Sequence, residues 1–74
     1  MPTLAQVVRK LRDDQGLSRE KLAAKADTST STVIRIELRD HQPGVDTLMR
    51  IADALGVTIS ELLADVETTE AKAG

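Results

Sequence analysis

The chain has 74 residues with no cysteine, no aromatic residue and a single histidine, His41. That length supports one small domain with a thin core, and the composition excludes disulfides and thiolate metal sites and removes the stacking platforms on which single-strand binders rely, so any nucleic-acid partner should be duplex. The net charge of −2 hides an asymmetry: residues 1–42 carry eight Lys or Arg against six Asp or Glu, whereas residues 43–74 carry two against six, a pattern suited to presenting one end to phosphates and the other to solvent or a partner.

Thr3-Leu4-Ala5-Gln6 has the form of a capping box, and Leu4, Val8 and Leu11 continue at helical spacing until Gly16 offers a left-handed stop. Ser18 caps a short second helix in which Leu22, Ala23 and Ala26 share one face, ending near Ala26. After the tight connection Asp27-Thr28, Ser29 opens a third helix with Val33 and Ile36 inward. Two short helices so closely joined form a helix-turn-helix, here spanning about residues 19–38. Polar residues from Leu38 to Pro43 then predict a loop. A fourth helix over Val45 to Leu55 points Leu48, Ile51, Ala52 and Leu55 inward and stops at Gly56. Thr58-Ile59-Ser60-Glu61 is a second capping box, opening a fifth helix through Leu62 and Leu63. The acidic stretch from Asp65 to Gly74 is expected to be disordered.

These residues resemble the lambda-repressor-like helix-turn-helix proteins, the Cro/C1 or xenobiotic-response-element type. The likeness runs from Leu4 to Leu63. It is carried by Val8-Arg9-Lys10-Leu11-Arg12, Gly16-Leu17-Ser18, Leu22-Ala23, Val33, Ile36, Glu37, Pro43, Leu48, Ile51-Ala52, Ala54-Leu55-Gly56-Val57 and Glu61-Leu62, at fixed spacing with no gap. It implies an all-α fold, a compact five-helix domain over residues 1–64, and a sequence-specific regulator of transcription, a repressor, that inserts the helix from about 30 to 38 into the major groove of double-stranded DNA. Three positions depart from the family pattern. Asp27 replaces the turn glycine, Arg39 replaces the glycine that commonly follows the third helix, and Arg19 replaces a frequent glutamine. Asp tolerates a left-handed backbone fairly well; at Arg39 that geometry would cost about 1 kcal/mol, or the loop there differs.

With Val33 and Ile36 fixed inward, a turn of about 100° per residue gathers Ser31, Ile34, Arg35 and Leu38 on the opposite face. The resemblance adds Thr30, at the first turn, as a further groove-facing residue. Arg35 could bond bidentately to guanine, Thr30 and Ser31 could donate or accept at base edges, and Ile34 could pack on a thymine methyl. The alternatives are an ordinary solvated position for Arg35 and burial against a loop or second subunit for Ile34. Phosphate contacts are expected at the amino ends of the second and third helices, with Arg19, Ser29, Arg39 and His41 as contributors; a solvated loop is the alternative for Arg39 and His41. In similar proteins the positions of Arg12 and Glu37 form a partly buried ion pair, which implies a structural role for both.

Enzyme chemistry is not supported. Nothing places a nucleophile, base and orienting group together, His41 has no second metal ligand at a suitable spacing, and no phosphate-binding glycine loop, cofactor motif or ligand pocket is evident. No apolar run approaches the roughly 20 residues needed to cross a bilayer, and Met1-Pro2-Thr3 opens no basic-then-apolar segment, so a cytoplasmic protein with no membrane partner is expected. Two functions then compete. One is a homodimer on a palindromic DNA site, with Val57, Ile59, Leu63 and Val66 as candidate dimer residues. The other is a protein-interaction module on the same fold, an adaptor or antitoxin-like partner, favoured by net acidity but opposed by a basic and polar outer face on the third helix.

Overall fold

In a computed structural model, described over residues 3–64, the chain forms five α-helices: α1 (Leu4–Asp14), α2 (Arg19–Lys25), α3 (Thr30–Arg39), α4 (Val45–Ala54) and α5 (Ile59–Ala64). There is no strand among the described residues. The expected disorder of 65–74 and the candidate Val66 lie outside them.

Short polar side chains start four of these helices, whereas α4 begins after Gly44 with no side-chain cap. Thr3 caps α1 reciprocally, its Oγ1 accepting from the Gln6 amide at 3.3 Å while its own amide donates to Gln6 Oε1 at 2.9 Å. Thr58 and Glu61 repeat the arrangement at α5, with 3.0 and 2.8 Å bonds. Ser18 and Ser29 cap α2 and α3. Each such cap satisfies an amide that the helix leaves unpaired.

The helix ends follow one rule as well. Gly16, Asp27, Asp40 and Gly56 each take a positive φ, at 68°, 55°, 51° and 76°. At each of these ends the next amide reaches back to close the last turn: Leu17 to the Arg12 carbonyl, Thr28 to that of Ala23, His41 to that of Arg35 and Val57 to that of Ala52, at 2.9–3.0 Å. The third helix corrects an expectation. It runs through Leu38 and Arg39, and the left-handed residue after it is Asp40, so Arg39 keeps helical geometry and carries no such strain. Asp accepts this conformation more readily than Arg because its short polar side chain bonds locally.

Val8, Leu22, Val33, Ile36, Ile51 and Leu62 are almost completely enclosed and bring all five helices to one core, which Leu4, Ala23, Ala26, Ala52 and Leu55 complete. α3 packs on both α1 and α2, α4 on α2, and α5 on α1 and α4. Leu11 and Leu48 pack against this core but stay half-buried. So do Val57, Ile59 and Leu63, three of the candidate dimer residues; among the described residues the large apolar side chains left exposed are Ile34, Leu38, Val45 and Met49.

Candidate nucleic-acid interface

α3 has two chemically different faces. Inward, Val33 and Ile36 enter the core and Glu37 is buried beside them. Outward, Ser31, Ile34, Arg35 and Leu38 are exposed on the side opposite that core, at the spacing expected for one helical stripe. Thr30 is the first helical residue and is half-buried. Ile34 is 36% exposed and Leu38 58%, so the stripe mixes a cation, a hydroxyl and two aliphatic groups.

Ser29 sits at the amino end of α3, where its Oγ accepts from the Thr32 amide at 3.1 Å and lies 2.9 Å from Thr32 Oγ1. At the other end Arg39, the last residue of α3, and His41, two residues further on, are exposed, and the His41 amide donates to the Arg35 carbonyl at 3.0 Å. These two lie at the opposite end of α3 from Ser29 and Thr30.

Behind the stripe, Glu37 anchors an ionic cluster that joins three helices. Its side chain is 0% exposed. Arg12 of α1 donates to both its oxygens, from Nε to Oε2 at 2.8 Å and from a terminal nitrogen to Oε1 at 3.1 Å. Another Arg12 terminal nitrogen donates to the Leu17 carbonyl at 2.7 Å, fastening the turn before α2. Arg19, the first residue of α2, donates from Nε to Glu37 Oε1 at 3.0 Å while its side chain stays 33% exposed. Burial pushes the Glu37 carboxyl up, but hydrogen bonds and charge from Arg12 and Arg19 outweigh it and hold the pKa below the ordinary carboxylate range. Bonding to Glu37 likewise raises the Arg12 guanidinium against the lowering effect of its own burial.

Arg19 is the residue whose place in the site the sequence conceals. Its motif position points to a free cation near the surface, whereas the side chain is bound on one side by Glu37. Residues 18 apart across a turn leave no periodic signal, and a lone Glu near two arginines is common on any helical surface. Gln15 likewise escapes sequence reading: its Nε2 donates to the Leu55 carbonyl at 2.7 Å, tying the end of α1 to the end of α4.

Among the described residues no cluster of three or more His, Cys, Asp or Glu could hold a metal ion, and no helix is long and apolar enough to cross a membrane. Every buried side-chain nitrogen and oxygen described has a hydrogen-bond partner.

A helix-turn-helix family model matches residues 8–62. The chain is 32% identical over 63 residues to the immunity repressor protein of Bacillus phage phi105, covering 85% of this chain and 44% of that one. It is 31% identical over 64 residues to the HTH-type transcriptional regulator DdrOP3 of Deinococcus deserti, covering 86% and 50%. The chain thus spans about half the length of these curated relatives. Among solved structures, the restriction-modification controller protein C.AhdI of Aeromonas hydrophila superposes with a TM-score of 0.75 at 30% identity, over 80% of this chain and 89% of that one.

Proposed function

The chain belongs to the Cro/C1-type helix-turn-helix family, and from that premise we propose that it is a sequence-specific double-stranded DNA-binding regulator of transcription, a repressor, that reads the major groove with α3. The observation that carries this reading is the division of α3: Val33 and Ile36 are fully committed to the core while Ser31, Ile34 and Arg35 stand free on the opposite side. A helix anchored that firmly can present its outer side chains to a groove without reorganising. Arg35 supplies a bidentate donor for guanine, Thr30 and Ser31 supply hydroxyls for base edges, and Ile34 supplies an apolar surface for a thymine methyl. Arg19, Ser29, Arg39 and His41 flank the stripe as phosphate contacts, which position the helix without specifying sequence. Residues 1–64 act as this DNA-binding unit, in the cytoplasm and with no catalytic role. The names of the relatives, a repressor, a transcriptional regulator and a controller protein, support the same reading.

A module this small reads few base pairs, so two copies on half-sites about one helical turn apart are needed for useful affinity. Leu38, Val45 and Met49, exposed by 58%, 65% and 52%, favour a protein contact in addition to DNA, and in this reading they meet a second copy. The competing function, an interaction module without DNA binding, would use the same side chains on a different protein.

Selecting sites from a random duplex library and titrating the recovered site by mobility shift at several salt concentrations tests the proposal. The expected result is a palindromic site whose affinity falls as salt rises. Arg35→Ala should cost about 1–3 kcal/mol on that site and relax specificity at one position of each half. No enriched sequence, with weak or undetectable binding to every duplex, would favour the interaction module.

A further inference from the structure

The geometry points to Glu37 as a positioning residue for phosphate binding: buried and out of reach of any nucleic acid, it aims the Arg19 guanidinium outward. This inference rests on the DNA-binding reading and extends it to a residue on the inner face of α3. Arg19 meets Glu37 through Nε, at 3.0 Å, and its two terminal nitrogens have no hydrogen-bond partner among the described residues. With its side chain 33% exposed, Arg19 is bonded at Nε and still partly open to solvent. The planar fork of a guanidinium pairs with oxygens of either a carboxylate or a phosphate, so one arginine can serve a buried carboxylate and an external phosphate together.

Glu37 is well suited to that task because both of its oxygens are already held by Arg12, at 2.8 and 3.1 Å. Arg12 is in turn fastened to the Leu17 carbonyl one residue before the α2 cap. The chain of contacts therefore begins and ends at the start of α2, with Glu37 of the recognition helix between. A free arginine loses rotamer freedom when it meets a phosphate, whereas one already held by Nε has lost most of it beforehand. The cluster thus links the register of α3 to the placement of a phosphate donor on α2.

A double-mutant cycle with Arg19→Ala and Glu37→Gln tests this, using an arbitrary-sequence duplex about two helical turns long, since non-specific binding reports phosphate contacts directly. Binding is measured at a temperature where circular dichroism shows every variant folded. Arg19→Ala should weaken binding about fivefold and reduce the salt slope by about 0.9. Removing the Glu37 charge strengthens attraction to DNA equally in both backgrounds, so the ratio of its two effects isolates positioning. Glu37→Gln should be less favourable by about threefold or more when Arg19 is present than when it is absent. A ratio of one, or a ratio in the opposite sense, overturns the inference while leaving DNA binding intact; a wild-type chain that binds no duplex overturns both. The unmutated protein gives a second readout by nitrogen NMR. The Arg19 Nε–H signal should stay protected from exchange when duplex is added while the terminal nitrogens shift, and an Nε–H that exchanges like a free arginine's contradicts the inference.

Discussion

The two faces of α3 share ten residues and one backbone, yet they are under opposite demands. The inner face, Val33, Ile36 and Glu37, is enclosed, and each member has a fixed partner in the core or in the ionic cluster. The outer face, Ser31, Ile34, Arg35 and Leu38, is exposed. Side chains on one face hold the helix in the fold, whereas those on the other are left available to meet something outside it. Substitutions on the two faces should therefore separate cleanly, the inner ones changing stability and the outer ones changing binding.

The largest effect should come from Glu37→Ala. It leaves two arginines without their shared carboxylate, one of them buried, and breaking a buried pair from one side costs about 3–5 kcal/mol. That is most of the margin available to a domain of this size, so thermal unfolding should shift down by tens of degrees or lose its cooperative transition.

Acid should loosen the same joint more gently. Because the folded-state pKa of Glu37 lies below its unfolded value of about 4.3, its contribution is complete above that unfolded value and is lost as pH falls through the folded pKa. Chemical denaturation across the acidic range should show stability falling with pH, and Glu37→Gln should flatten the curve. A curve with the same slope in both proteins would assign the acid sensitivity to other carboxylates.

A smaller effect lies outside both faces. Gly16 holds φ at 68° and a Cβ there would meet nothing within 4 Å, so Gly16→Ala is a pure backbone test costing about 1 kcal/mol. A calorimetric shift much larger than this would mean that the end of α1 governs how Arg12 approaches Glu37.

Much of this comparison is legible in the sequence because periodicity reports burial. Val33 and Ile36 three residues apart identify the inner face, and their complements Ser31, Ile34 and Arg35 follow from helical geometry alone. Caps are legible for a similar reason, since Thr3 with Gln6 and Thr58 with Glu61 act within a single turn. Long-range polar contacts are not legible from the residues themselves, and the Arg12–Glu37 pair is expected only through the family resemblance. The Arg19–Glu37 and Gln15–Leu55 bonds depend on how helices cross, which no local pattern encodes. Asp40 was similarly hidden, because both Arg39 and Asp40 could follow α3 and only the length of the last turn decides which takes the left-handed backbone.

Arg35→Ala should be measured in two ways on one preparation, by thermal unfolding and by titration against the selected duplex. Stability is expected within about 0.5 kcal/mol of wild type, as for an exposed side chain with no fixed partner among the described residues, together with affinity reduced about tenfold or more on the selected site. Unchanged affinity, or a loss of affinity matched by an equal loss of stability, would contradict the claim that the outer face of α3 is a reading surface.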